Sequence, residues 1–465
     1  MLAALASEAV NKVVPLLTMH FAALHLGVAG FGISQFSMWL LEWGIISVAF
    51  GYSQSLPVAL RRANSDQEKR QLTGALLVNR LIHAALGCLL LTLIVRLNPA
   101  YGVYWPAVGT SLFILLLSAL DLSGGLIAVQ RIWQYSAMMI IAKLASLFAV
   151  WRFIQTTSDA ALYVGLTNAA NGSICVGTFI LGWIFIGFSM PSYSQMRHMF
   201  LLSVPFALSG IMLLCVERFD LFLVERGIGP EGAGFYSGPA KLLQSLIPLI
   251  TSISSVFYSE MIGIHEEESL KKHLRFSLLS VMIFVLPLIV GTWFTGGEIL
   301  KLIFGPGFEL QSKTLSILIL NSFAHAVILM IGFQTIGLRH KMRPVYVALL
   351  IGLVAGMVAG PYLVQKYGYV GAAIGSVTSR WISAAAILWF AQRAGLLRMR
   401  EITAPVIQAG IPAVGMGIIL AGAERLGAES LSVLLSLGAG SYALLFLLFN
   451  RRDAQKIFRK LVPGP

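Results

Sequence analysis

Ala29-Gly30-Phe31-Gly32, at the close of a first apolar run, returns 204 residues later as Ala233-Gly234-Phe235-Tyr236. Three further markers keep the interval. Gln130, before Arg131, is matched by Gln334 at 204, Tyr163-Val164-Gly165 is matched by Tyr369-Val370-Gly371 at 206, and the mixed-charge stretches 58–72 and 260–274 correspond. One tripeptide repeated in a Gly- and Ala-rich chain is weak evidence. Four markers in order at nearly one interval indicate a duplicated chain, a signature of transporters and repeat architectures.

The duplicated material is lipid-soluble. Of 465 residues 57% are apolar and only 11% are charged, and the mean hydropathy is +0.82. A soluble domain carries about 25% charged residues, so this composition excludes a water-soluble globule. One spanning helix and its connection need roughly 30 to 35 residues, which gives about thirteen to fifteen crossings and leaves no room for a soluble domain. Apolar runs place fourteen expected spans at 3–24, 33–57, 73–96, 105–127, 133–152, 162–187, 200–224, 236–259, 275–295, 313–337, 343–364, 371–391, 403–422 and 431–449. Six spans per repeat is an even number, so both repeats enter the membrane in one direction. The expected fold is an all-α polytopic membrane protein with two parallel-repeat six-helix lobes around a central cavity, plus two C-terminal helices. The lobes are expected at 1–190 and 191–395, with the extra pair and a basic tail at 396–465.

Net charge is +13, from 33 Lys and Arg against 20 Asp and Glu. In a soluble protein that excess would suggest nucleic acid; in a polytopic chain it is what the enrichment of cytoplasmic loops in Lys and Arg produces. With the N-terminus inside, the inner loops and tail hold Arg61, Arg62, Lys69, Arg70, Lys271, Lys272, Arg398, Arg400 and others, whereas the outer loops keep Arg226, Lys301, Lys366 and Arg425. Both termini are therefore expected in the cytoplasm. Cys88, Cys175 and Cys215 lie in apolar runs without metal-ligand spacing. No metal or cofactor site is read, and the first apolar stretch, which carries Glu8 and Lys12, does not look like a cleavable leader. Tyr104, Trp105 and Trp293 fall near expected span ends, as an interfacial belt requires. Gly352, Gly356 and Gly360, four apart, read as close helix packing.

The stretches LGVAGFG (26–32), Gly51 to Arg62, ERFDLFLVE (217–225), GFYSGPA (234–240) and LIFGPGF (302–308) resemble the polysaccharide flippases of the Wzx type. Those belong to the MOP superfamily, with the lipid II flippase MurJ and the multidrug MATE exporters. The resemblance covers residues 1 to about 395. It implies alternating access of two lobes and transfer of an undecaprenyl-diphosphate-linked oligosaccharide from the inner to the outer leaflet of the bacterial cytoplasmic membrane, for surface polysaccharide such as O-antigen or exopolysaccharide. It also implies transport without enzymatic chemistry. The partners it implies are membrane lipids, a coupling ion (sodium or proton) and the polysaccharide polymerase and chain-length machinery. Fourteen spans resemble the lipid II flippase layout, in which the extra pair accompanies the lipid tail.

Eleven ionisable residues fall inside expected spans: Glu8, Lys12, Glu42, Arg80, Asp121, Lys143, Glu217, Arg218, Asp220, Lys241 and Arg380. A charge at mid-depth costs several kcal/mol, so each must face a cavity or a partner. Glu8 and Lys12 have the i, i+4 order of a helix salt bridge. Arg80, about two turns from its inner boundary, has the length to snorkel, and Asp121 sits where a helix cap would. Lys143 and Arg380 lie roughly 15 Å from the nearer helix end and are too deep for that. A diphosphate suits Arg forks and Lys ammonium groups, so Lys12, Lys143, Arg218, Lys241 and Arg380 are the expected headgroup cations. Glu42, Glu217 and Asp220 are the expected cavity acids, holding those cations when the site is empty or carrying the coupling ion. Inter-helix salt bridges with no transport role are the plain structural alternative.

Three other functions compete. A non-transporting membrane scaffold is disfavoured by the duplicated halves and buried charges. A MATE-like ion-coupled exporter of cationic drugs needs acids without adjacent Arg and Lys; the intramembrane cations argue against it, but five intramembrane acids remain. A membrane glycosyltransferase or O-antigen polymerase needs a sizeable outer loop, and no expected outer loop exceeds about 17 residues. The topology is checked with reporter fusions: those after Arg70, Arg343, Arg400 and Pro465 are expected to read cytoplasmic and one after Gly305 external. A cytoplasmic signal at Gly305 would refute the span map.

Overall fold

The computed structural model describes residues 2–461 except 262, 263, 265, 338–341 and 429; the side chains of 2–12, 132, 259, 260 and 452–461 also lie outside the described set. The described residues are helical almost throughout. In chain order the helices are α1 (Leu2–Ala49), α2 (Tyr52–Arg62), α3 (Asp66–Leu97), α4 (Trp105–Ser111), α5 (Phe113–Ser118), α6 (Ser123–Ala128), α7 (Ile132–Phe153) and α8 (Ala160–Phe185). They continue with α9 (Tyr193–Ile228), α10 (Pro230–Met261), α11 (Glu267–Phe304), α12 (Ser312–Leu318), α13 (Asn321–Val327), a π-helix (Ile328–Ile336), α14 (Arg343–Arg393), α15 (Arg400–Arg425) and α16 (Leu431–Leu461).

Eleven helices among the described residues are long and apolar enough to cross a membrane, or twelve if the bent pair Pro99–Ser111 and Phe113–Ala128 counts as one more. The expected number was fourteen. The difference has a geometric source, because Val13–Arg62 and Arg343–Arg393, with 50 and 51 residues, are each counted once. A straight helix of 50 residues is about 75 Å long, more than twice the roughly 30 Å of hydrocarbon. Each contains a glycine in the left-handed region, Gly27 at φ 64° and Gly368 at φ 57°. Only glycine adopts that conformation without a Cβ clash, so both long helices break where the span map put its turns.

The order of elements repeats as the sequence does. The long α3 is followed by a 3₁₀ turn (Pro99–Tyr104) and a span broken into α4 and α5; the long α11 is followed by a 3₁₀ turn (Phe308–Gln311) and a span broken into α12 and α13. Each element starts about 205 residues after its counterpart. Caps fix the starts. Ser65 accepts from the Glu68 amide while Glu68 accepts from the Asn64 amide, and Thr156 with Asp159 forms a capping box ahead of α8.

By contact the chain divides into two compact units, 1–218 with 228–234 and 219–227 with 235–465. In the first, α1 packs along α3, α7 and α8 around Phe31, Phe36, Tyr104 and Tyr163, all essentially fully buried. Tyr104 therefore does not belong to the interfacial belt: its ring lies 4.7 Å from that of Phe36, and a 3₁₀ turn has carried it into the core. Trp105 carries the Arg96 guanidinium 4.0 Å above its ring. In the second unit α11 is the central post, with α12, α15 and α16 against it; Trp293 on α11 is 71% exposed. The Gly352, Gly356, Gly360 stripe is a packing seam. A Cβ on Gly352 would collide with the Ser379 carbonyl oxygen and the Ser383 hydroxyl, and Ser379 donates to the Gly352 carbonyl at 2.8 Å.

Two glycines from the corresponding turns, Gly32 and Gly234, approach each other within the first unit. A Cβ on Gly32 would overlap the Pro230 carbonyl oxygen and approach the Gly234 nitrogen to 2.7 Å, and one on Gly234 would overlap the Val28 carbonyl oxygen. These are backbone atoms with no rotamer to yield. Gly32→Ala or Gly234→Ala is expected to cost about 1–3 kcal/mol and to lower the thermal midpoint of the detergent-solubilised protein. Gly102→Ala, whose Cβ meets nothing within 4 Å, is expected to be neutral. Equal midpoints for all three would refute the contact.

Candidate functional site

Ionisable groups inside the helices collect into distinct clusters. In the first unit, Arg218 on α9 pairs with Glu42 on α1 at 3.0 Å (Nη2 to Oε1), the two side chains 17% and 39% exposed. Trp39, one turn before Glu42, donates its indole N–H to the Arg218 carbonyl oxygen at 2.8 Å. The guanidinium is thus held from the carboxylate side and its backbone from the indole side. The pair is partly exposed, which distinguishes it from a fully buried salt bridge. Lys143 on α7 donates to the Asn171 side-chain oxygen on α8 at 2.8 Å. An amide oxygen satisfies one ammonium hydrogen but leaves the charge uncompensated.

A second cluster in the same unit was not anticipated. Arg80 is 1% exposed, so it does not snorkel. Its Nη1 donates to the Asp121 carbonyl oxygen and its Nη2 to Ser53 Oγ at 2.8 Å, with Asp121 Oδ2 3.8 Å from Nη1. Asp121 performs the capping expected of it, accepting from the Ser123 amide at 2.9 Å and the Ser123 hydroxyl at 3.0 Å. Thr178 on α8 donates to it at 3.3 Å, and Tyr52 lies with its ring centroid 5.8 Å from the Arg80 carbon. The interruption between α5 and α6 frees carbonyl groups, and the buried arginine takes one of them, as intramembrane backbone requires.

In the second unit, Asp220 on α9 accepts from the Tyr236 hydroxyl at 2.7 Å. Tyr236 is fully buried. Arg380 on α14, also buried, lies close enough to act electrostatically on both Tyr236 and His325. Asn321 donates to Ser376 at 3.2 Å one turn before Arg380. The cluster joins α9, α10, α13 and α14 in one polar network inside an otherwise apolar body.

The expected site residues are thus distributed as follows. Glu42 and Arg218 stand together in the first unit; in the second, Asp220 is bonded to Tyr236, and Arg380 lies near enough to Tyr236 to act on it electrostatically. Lys143 stands with Asn171. Glu217 on α9 and Lys241 on α10 are half-buried, and each has an interaction of its own. The Lys12 side chain, and with it the Glu8–Lys12 pair, lies outside the described residues. Tyr236, Asn321, His325 and Ser376 went unremarked as site residues in the sequence, although Asn321 and His325 inside the apolar run 315–332 were a readable signal.

The sequence profile of the family described as "Polysaccharide biosynthesis protein" matches residues 1–258. A Shigella flexneri protein named as an O-antigen transporter is 25% identical over 386 residues, covering 79% of this chain and 90% of its own length. A Haloferax volcanii protein named as the low-salt glycan biosynthesis flippase Agl15 is 21% identical over 366 residues, covering 77% of this chain and 76% of its own. Among solved structures, lipid II flippase MurJ in an inward closed conformation superposes with a TM-score of 0.75 at 13% identity, covering 97% of this chain and 98% of that one. That likeness establishes a MurJ-like fold.

Proposed function

We propose that this chain, which belongs to the polysaccharide biosynthesis protein family, carries a lipid-linked oligosaccharide from the inner to the outer leaflet of the bacterial cytoplasmic membrane by alternating access. The observation that carries the reading is the Arg218–Glu42 pair at 3.0 Å, partly exposed, with a second arginine, Arg380, buried in the other unit near the Asp220–Tyr236 bond. A guanidinium fork held by one carboxylate and open on one side is a group that a diphosphate can engage. Lys12, Lys143 and Lys241 are the further cations of the proposed headgroup site. Glu217, with Glu42 and Asp220, belongs to the acids that limit its affinity or take the coupling ion, sodium or proton.

The second unit offers a place for the lipid. An apolar cavity of about 590 Å³ lies among α10, α11, α15 and α16, lined by Leu249, Phe284, Pro287, Met416, Leu435 and Tyr442 among others. Such a wall suits a stretch of polyprenyl chain and offers nothing to a sugar. The O-antigen transporter and glycan flippase relatives support the same substrate class. Nothing in this scheme requires bond chemistry: the chain translocates, both termini cytoplasmic, and delivers to the polymerase and chain-length machinery.

The test is replacement of Arg218 or Arg380 by Gln at matched membrane abundance. Surface polysaccharide is expected to disappear while the lipid-linked precursor accumulates on the inner leaflet. Lys at either position is expected to rescue in part, because charge survives and the bidentate fork does not. Normal export by both Gln variants would assign these arginines to structural ion pairing instead.

A further inference from the structure

Away from the deep charges, the first unit carries a second cationic feature at its helix ends. The last turn of α2, the first turn of α3, the residues after α6 and the end of α8 enclose a cavity of about 320 Å³. Leu60, Ala128, Val129 and Ile186 line it together with Arg61, Lys69, Arg70 and Asp66. The local structure fixes these walls. The Ser189 amide donates to the Arg70 carbonyl oxygen at 3.1 Å, so the 186–191 segment is held against α3. Gly187, at φ 75°, lies under the Arg70 side chain, where a Cβ would stand 3.2 Å from its Nε. Arg131 sits over the Phe185 ring at 4.4 Å and adds a cation beside the cavity, since Phe185 is another lining residue.

The charge balance of this cavity is uneven. Asp66 is its one acid, and Lys69 neutralises it at 2.7 Å. Among the described residues neither Arg61 nor Arg70 has an ion-pair partner. Arg70 shares the field of Asp66 with Lys69, but neither arginine is ion-paired, so two guanidinium forks face one walled space that holds a single, already engaged carboxylate. Their distance from the apolar middle of α3 places them at headgroup depth, where the available anions are phosphate esters. A guanidinium binds such groups bidentately, and basic pockets between spanning helices are suited to lipid headgroups.

We propose that the cavity bounded by Arg61, Arg70, Ala128 and Phe185 is a binding site for a phosphate-bearing lipid headgroup. Two sources share this chemistry: bulk anionic phospholipid and the diphosphate of a polyprenyl carrier. The site shares no lining residue with the proposed headgroup cations and is tested by binding alone, so its failure leaves the transport reading untouched.

The full chain, solubilised in detergent, is titrated with dioleoyl phosphatidylglycerol, undecaprenyl diphosphate or phosphatidylcholine, and bound lipid is counted by native mass spectrometry. The wild type is expected to retain phosphatidylglycerol or undecaprenyl diphosphate well above phosphatidylcholine. With about 1 kcal/mol per basic residue near the surface, Arg61→Gln or Arg70→Gln alone weakens retention about fivefold and the double variant about thirtyfold. Both arginines are exposed, so their replacement does not threaten the fold. Ala128→Phe fills the cavity without changing charge and is expected to weaken retention as much as the double variant. Lys272→Gln, an exposed cation of the other unit, is expected to have no effect. Preference for phosphatidylglycerol identifies a site for bulk lipid, and preference for undecaprenyl diphosphate a site for the carrier. Wild-type retention of both by the double variant and by Ala128→Phe would overturn the proposal.

Discussion

Inside hydrocarbon a polar group has no water to return to, and each feature of this chain that departs from a plain apolar helix is shaped by that. A broken helix frees carbonyl and amide groups, and an ionisable side chain brings a charge; either costs several kcal/mol when left alone. The chain answers one with the other. The interruption between α5 and α6 exposes the Asp121 carbonyl, and Arg80, buried to 1%, donates to it. The Asp121 carboxylate caps α6 through Ser123 and lies 3.8 Å from the same guanidinium. Two liabilities become one network of Ser53, Arg80, Asp121, Ser123 and Thr178. Without Arg80 the break would be unaffordable, and without the break Arg80 would lack its principal acceptor.

The same constraint explains the glycines. Helices in lipid gain nothing from expelling water between them and associate through close van der Waals contact. Gly352 lets the backbone of one arm of α14 approach Ser379 and Ser383 of the other, so that Ser379 reaches the Gly352 carbonyl. Gly32 and Gly234 do this between α1 and the start of α10, where backbone meets backbone. At both places a side chain would stand where a backbone atom lies, so only glycine fits.

What the sequence made legible follows from what composition and spacing encode. Span positions were readable because apolarity over about 20 residues is a local property: α7 and α8 begin and end within two residues of their expected bounds at 133–152 and 162–187. The glycine seam on α14 was readable because a spacing of four is local too. Tyr104 was misplaced because nothing near it announces that a 3₁₀ turn directs its ring onto Phe36. The site was legible only as an inventory. That Arg218 and Asp220 are charged is plain in the sequence; that one meets Glu42, 176 residues away, and the other Tyr236 depends on tertiary contacts that no spacing records.

The two deep clusters differ in a way that bears on transport. The Glu42–Arg218 pair is partly exposed, so each partner retains access to an outside competitor. The Asp220–Tyr236 bond is made by a fully buried phenol and draws on Arg380 from inside the fold. Water does not compete there, and the network keeps its geometry unless a stronger ligand or a proton rearranges it. In the transport reading proposed above, the exposed pair is the one whose fork an outside anion can reach, one anion replacing another on the same guanidinium; the buried network offers no such access.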